Sequence, residues 1–298
     1  MKRPARLIAV VPALWLAAFV LVPALIVLKI SLSAAVTAQP PYLPVLDWSA
    51  GPVGWGSFLE ALDFANFETL LGDTLYRDAA LQSLWLAGLA TLILAFIGTP
   101  LAHAMARSPA RLQPLLVALV IVPFWTSFLI RIYAWIAILK PEGLLSAGLM
   151  KLGLIAQPLE ILNTQGAVLI GLTYAYLPFM VLPLYAVLAK ADPRLPEAAA
   201  DLGAGPARVF WTVTLPLARP GLTAGALLCF VPMVGEFIIP DLLGGSDTLM
   251  LGRVLWSEFF SNRDWPLASA VAILVLVLVV GPLILFREDG AAAREAGR

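Results

Sequence analysis

The sequence predicts an all-α integral membrane protein with about six transmembrane helices, and three observations carry that reading. Of 298 residues, 61% are hydrophobic and only 13% are charged; a soluble domain is about half apolar and about a quarter charged. A soluble core could not hide so much apolar surface behind so thin a charged shell, and mean hydropathy stands at +0.91. Apolar runs of bilayer length, about 20 residues for a helix, recur along the whole chain. Proline sits inside several of them (Pro12, Pro23, Pro123, Pro178, Pro183), as kinked membrane helices tolerate.

Taken in order, the spans are residues 7–30, 81–105, 115–139, 166–190, 222–239 and 266–286. The first follows Lys2, Arg3 and Arg6, as a signal peptide would. Its apolar stretch is too long for a signal core and no small-residue cleavage site follows, so it reads as a retained helix. Next comes a long outer loop, 32–80, rich in Pro and Trp (Pro40, Pro41, Pro44, Trp48, Trp55). Loops of that length are usually functional or partner surfaces. Residues 140–165 carry Leu144, Leu145, Leu149 and Leu152, which predict a short amphipathic helix at the outer interface. An inner loop, 191–221, joins the fourth and fifth spans, and an Ala/Arg/Glu-rich tail, 291–298, ends the chain. With no internal repeat, residues 1–298 read as a single transmembrane domain.

Charge sets the orientation. Lys2, Arg3, Arg6, Arg107, Arg111, Lys190, Arg194, Arg208, Arg219, Arg287, Arg294 and Arg298 fall on one side, which the positive-inside rule makes cytoplasmic, with both termini inward. Acids show the opposite bias, from Asp47 and Glu60 to Glu236, Asp241, Glu258 and Asp264. Either the outer loops simply need polar residues, or the outer mouth is an acidic vestibule that attracts a cation. A formal net charge of zero advertises no nucleic-acid partner. The single cysteine, Cys229, excludes an internal disulfide framework. The single histidine, His103, leaves too few nitrogen ligands for a metal site.

The inner loop has the sharpest punctuation. Pro196 suits the first turn of a helix, and Glu197 through Leu202 continue it with acid near the positive end. Gly203 and Gly205 break it. Pro206 opens a second helix through Val209, Phe210, Trp211 and Val213 to Leu215-Pro216. This amphipathic helix–turn–helix on the cytoplasmic side calls for a docking partner or for its own bundle.

These residues resemble the EAA loop of the permease subunits of ATP-binding-cassette (ABC) importers. Glu197-Ala198-Ala199 is followed by three residues, Gly203, nine residues, the branched Val213, one residue and Leu215-Pro216. The resemblance implies the type I importer permease fold, with a coupling helix seated in a groove of a cytoplasmic ATPase. Glu197 would face the ATPase and Gly203 would permit the turn. It further implies a bacterial inner membrane, a second homologous permease forming a heterodimer, two ATPase copies and a periplasmic binding protein. The chain lacks the G-x-x-x-x-G-K-[ST] phosphate loop. ATP and Mg are therefore expected on the partner ATPase, with no cofactor, no metal and no catalysis on this chain.

Longer stretches narrow the family. Val234–Val271, Pro123–Pro141 and Gly171–Val187 resemble polyamine-uptake permeases, especially the putrescine type, and the likeness runs from about residue 7 to 286. Asp241 stands where that family more often shows Glu, with the charge kept. The resemblance implies import of putrescine, spermidine or both by alternating access. A short diamine is a dication with an apolar spacer, so a path through a low-dielectric bundle needs carboxylates, carbonyls and aromatic faces. Glu236, at the outer end of the fifth span, is the first candidate, with Asp241 beyond it. The alternative for Glu236 is a structural ion pair with Arg131, Arg253 or Arg263. Trp125, Tyr133, Trp135, Tyr174 and Tyr176 are candidate walls, Trp125 and Tyr174 lying deeper than Trp135. An aromatic face attracts ammonium by about 0.5–2 kcal/mol, although Trp and Tyr also gather at bilayer interfaces. Asp247, Glu258 and Asp264 are expected in salt bridges or at a binding-protein surface, and His103 and Cys229 as packing residues. The rival readings are an importer permease for another small solute, an ion-coupled secondary transporter and an intramembrane enzyme.

Overall fold

A computed structural model describes residues 3–45 and 51–295. Helices dominate it, and the chain divides into two units: residues 1–80 with 251–298, and residues 81–250.

In the first unit, α1 (Arg3–Ser31) is an apolar helix that pairs with α14 (Trp265–Glu295). Its stretch from Val10 keeps most side chains exposed, as a lipid-facing helix does. The run 32–80 is more structured than a loop. A two-residue hairpin pairs β1 (Ala34–Ala35) with β2 (Tyr42–Leu43), antiparallel, Ala34 opposite Leu43. Then come α2 (Gly51–Glu60) and α3 (Ala65–Gly72). Asn66 on α3 donates to the Ser31 and Ser33 carbonyls at 2.9 and 2.8 Å, satisfying carbonyls that the end of α1 leaves open. Lys29 donates to the Pro44 carbonyl while its ammonium lies 4.1 Å from the Tyr42 ring centre. After α13 (Leu251–Trp256) the chain winds through a wider turn, Ser257–Asn262, before α14.

The helix α4 (Thr74–Arg107) begins seven residues before the predicted second span, because its polar first turns, with Arg77 and Asp78, carry no apolar signal. The run 115–139, predicted as one span, is broken. It consists of α5 (Gln113–Ile121), a tight turn at Val122–Trp125 and α6 (Phe128–Leu139), and the two arms meet at 89°. Pro123 has no N–H to continue the ladder. The Thr126 hydroxyl turns back to the Pro123 carbonyl at 2.8 Å, and Thr126 and Ser127 are extended. The short helix α7 (Leu144–Lys151) follows, with Leu144 75% exposed and Ser146 buried beneath it. α8 (Gln165–Leu188) is capped by Thr164, whose hydroxyl accepts from the Ala167 amide.

The inner loop holds α9 (Arg194–Asp201) and α10 (Pro206–Val209), and a wide turn at Phe210–Thr214 leads into α11 (Leu215–Val234). From Pro206 to Val234 the helix is continuous over 29 residues. It therefore starts well before the predicted fifth span, 222–239, and stops short of its end. Pro216 cannot donate to the fourth carbonyl back, and the loosened winding just ahead of it accommodates that loss. Past Gly235 the chain breaks, then resumes as α12 (Ile238–Leu243).

α8 and α11 form the centre of the second unit through small residues four apart. A Cβ at Gly221 would stand 2.8 Å from the Pro183 carbonyl oxygen, and one at Gly225 would stand 2.9 Å from the Met180 sulfur. Cys229 continues the row, its thiol 3.5 Å from the Tyr176 carbonyl oxygen. In lipid, where apolar helices gain little by avoiding water, such close backbone approach is what holds helices together. α1, α4, α8 and the 206–234 helix are long and apolar enough to cross a bilayer, the bent α5/α6 pair has the geometry of a broken span or a re-entrant loop, and α14 is apolar over Trp265–Gly281.

Candidate functional site

Glu236 lies in the break between α11 and α12. Its Oε2 accepts from the Tyr176 hydroxyl at 2.8 Å, and its Oε1 accepts from the Ile238 amide at 3.0 Å, tying down the first turn of α12. Tyr176 is the midpoint of the 24-residue α8. The carboxylate thus sits halfway along a membrane helix, deeper than the outer end the sequence indicates, because the helix stops at Val234 instead of running to 239. Both donors are neutral, and of the three ion pairs the sequence left open, with Arg131, Arg253 or Arg263, the one with Arg131 is not formed among the described residues. A carboxylate at that depth with no cationic partner among its hydrogen bonds is costly unless it meets a mobile cation.

The aromatic candidates divide. Tyr176 touches Glu236, and Tyr174, two residues earlier on α8, meets Trp135 edge-on at 5.4 Å. Trp125, the last residue of the Val122–Trp125 turn, is 82% exposed, and Tyr133 is 57% exposed on α6. Both present ring surface outward from this unit and neither meets Glu236. Asp241 is exposed in the first turn of α12, one turn beyond Glu236. In the first unit, Glu258 is buried and accepts from the Tyr76 hydroxyl at 3.0 Å and the Asn262 amide at 2.8 Å, so this acid is held by neutral donors.

The inner loop closes as its residues dictate. α9 ends with Gly203 at φ +86°, in the left-handed region that a Cβ disfavours. The Gly203 amide donates to Ala200 at 2.9 Å and the Ala204 amide to Ala199 at 3.0 Å, the paired bonds of a Schellman ending. Glu197 and Ala198 are exposed on α9. Leu202 is 89% exposed and Trp211 66%, a large apolar offer for a surface away from the bundle. Leu215 and Pro216 are half-buried where the second arm becomes α11. His103 on α4 packs edge-on against Phe210 of that arm, ring centres 6.1 Å apart.

Residues 98–287 match a family described as the inner membrane component of binding-protein-dependent transport systems. The chain belongs to that family. The spermidine/putrescine transport system permease protein PotB of Haemophilus influenzae is 41% identical over 272 residues, covering 91% of this chain and 88% of its own length. PotB of Escherichia coli is 43% identical over 229 residues, 77% of this chain and 83% of its own. Among solved structures, a chain of a bacterial alginate ABC transporter, in complex with an alginate pentasaccharide-bound periplasmic protein, superposes with a TM-score of 0.67. At 17% identity and 95% and 93% coverage, it shares the fold. This permease is accordingly a multi-pass inner-membrane subunit of an ATP-driven ABC importer and works with an ATPase and a substrate-binding protein.

Sequence reasoning missed several residues around the site. The row Gly221, Gly225 and Cys229 was legible as small residues at four-residue spacing. Phe179, 5.9 Å from the Tyr176 ring, and Phe124, 5.5 Å from Phe179, carried no signal that distinguishes them from ordinary membrane residues.

Proposed function

We propose that this permease imports polyamines, putrescine and/or spermidine, and that Glu236 is the membrane carboxylate that meets the travelling ammonium. The observation that carries the reading is this acid, held halfway along α8 by a phenol and an amide, with no cation among its hydrogen-bond partners in the described residues. The names of the PotB relatives support the same cargo. Tyr176 orients the carboxylate. Tyr174, Tyr133 and Trp125 offer ring faces to a cation whose spacer is apolar, and Asp241 offers a further carboxylate toward the α12 end.

The remaining assembly follows from the coupling loop. Glu197, Ala198 and Ala199, with the Gly203 turn and the Leu215-Pro216 arm, seat in the ATPase; ATP and Mg bind there, and this chain binds no cofactor and hydrolyses nothing. Two ATPase copies close on ATP and draw the coupling loops of a permease heterodimer together, turning the cavity from inward- to outward-facing to accept substrate from the periplasmic binding protein. Both termini face the cytoplasm.

The experiment is ATP-driven uptake of labelled putrescine and spermidine into vesicles holding the reconstituted complex. Glu236→Gln should lower saturable uptake about tenfold, the effect of losing one charged contact, while binding-protein-stimulated ATP hydrolysis persists. Glu197→Ala should uncouple hydrolysis from uptake. An intact, ATP-hydrolysing complex that takes up neither polyamine would sink the cargo and leave the permease standing.

A further inference from the structure

Arg131 is half-buried, and one of its donors is cut off from solvent without a partner. It lies on α6 just past the break in the third span, its guanidinium carbon 4.7 Å from the Phe124 ring centre and 5.6 Å from that of Phe128. Its Nε is sealed off with no hydrogen-bond partner among the described residues. Native structures leave few buried donors unpaired, and fewer charged ones. The ring faces offset part of the charge and leave that N–H unmatched.

The groups between Arg131 and Glu236 are continuous. Phe124 meets Phe179 edge-on at 5.5 Å, and Phe179 lies 5.9 Å from Tyr176, whose hydroxyl holds Glu236. Two broken segments thus bring opposite charges to one aromatic strip, which starts at Phe124 in the 122–125 turn and continues through Phe179 and Tyr176 on α8. One is a guanidinium short of an acceptor, and the other a carboxylate whose donors are both neutral. Each supplies what the other lacks.

We propose that Arg131 is the resident counter-ion of the Glu236 site. On the substrate-free return step of the cycle, the guanidinium leaves the place over Phe124 and Phe128 seen here and pairs with Glu236. An arriving polyamine displaces it to the place over Phe124 and Phe128. The extended residues Thr126 and Ser127, at the 89° bend, give α6 the freedom to make that shift. The inference rests on Glu236 being the cation site. Its consequence is that the empty path stays near neutral, so the return step exposes no lone carboxylate to a low-dielectric interior. It also sets a threshold for cargo: a ligand must bring enough charge to replace a guanidinium, which a diamine does better than a monoamine.

The test uses the complete reconstituted complex, normalised to the amount in the membrane, with Arg131→Gln, Arg131→Lys, Glu236→Gln and the double variant Arg131→Gln/Glu236→Gln. Two readouts are taken: ATP hydrolysis without polyamine, and inhibition of putrescine uptake by n-butylamine. Arg131→Gln should slow substrate-free hydrolysis about tenfold and Arg131→Lys far less, while the double variant should recover to the level of Glu236→Gln alone, as coupled positions do. Butylamine should compete more strongly in Arg131→Gln. Additive losses in the double variant, or substrate-free hydrolysis untouched by Arg131→Gln, would overturn the counter-ion role. Failure of the cation-site reading is separately visible, as unchanged putrescine uptake in Glu236→Gln. Should Arg131→Gln fail to reach the membrane, the cycle is run with Arg131→Lys, for which additivity again overturns the proposal.

Discussion

Two side chains that share no segment of sequence define the centre of this permease. Tyr176 and Glu236 are separated by 60 residues and joined by a 2.8 Å hydrogen bond. A hydrogen bond to a charged group contributes about 1.5–3 kcal/mol, more than a neutral one. Tyr176→Phe keeps the ring and removes that donor, leaving the carboxylate with the Ile238 amide alone. Putrescine uptake should then show a KM raised about tenfold with the protein still assembled, because only the orientation of the carboxylate is loosened. A KM equal to wild type would mean that the phenol packs beside the acid without steering it. The residue types at these positions were legible as candidates from charge and ring chemistry. Their contact was not, since pairing depends on how α8 and α11 are rotated, and a single sequence with apolar residues all round each helix does not encode rotation.

At the scale of elements, helix ends decide most of what the site can do. α11 stops at Val234 and α5 gives way at Pro123, so each of these two apolar segments carries a gap at which side-chain groups or loop backbone can meet a ligand. The coupling loop reads from its residues almost completely: a proline-started turn, a glycine at positive φ, a second proline start. Local signals sufficed there because capping is a short-range affair of four or five residues. The α8–α11 seam is different, for it needs two helices to approach. Gly221→Ala would press a methyl carbon to within 2.8 Å of the Pro183 carbonyl oxygen and 2.9 Å of the Leu184 Cα, both backbone atoms that cannot step aside. Overpacking of that kind should lower stability by about 1–3 kcal/mol, read as a drop in the midpoint of thermal unfolding in detergent. An unchanged midpoint would show that the seam is looser than this geometry.

For the whole molecule, the single cysteine reports on the packing. Cys229 is fully buried within α11 and faces the Tyr176 carbonyl. A membrane-permeant maleimide should leave the native permease unlabelled and react fully once the bundle is unfolded in dodecyl sulfate. Labelling of the native chain would mean that the seam opens during the cycle. A chain with so apolar a surface also needs its partners and its bilayer to be covered. The exposed faces of Leu202 and Trp211 on the coupling loop and the long apolar stretch of α1 are large for a subunit that acts alone.

Composition alone determined that this chain lives in a membrane, since burying so much apolar surface away from lipid would exceed any soluble core, and the spacing from Glu197 to Pro216 determined the coupling loop, since capping and turning are written in neighbouring residues. Tertiary structure decided the rest. It split the third and fifth spans, set Glu236 at the middle of α8 and left Arg131 beside an aromatic strip that leads to it. Hydropathy registers only that a run is apolar enough to cross. Where a crossing breaks, and which charges then face one another, depends on contacts between helices far apart in the chain, whose small residues and rings look like any other apolar residue until the helices are packed.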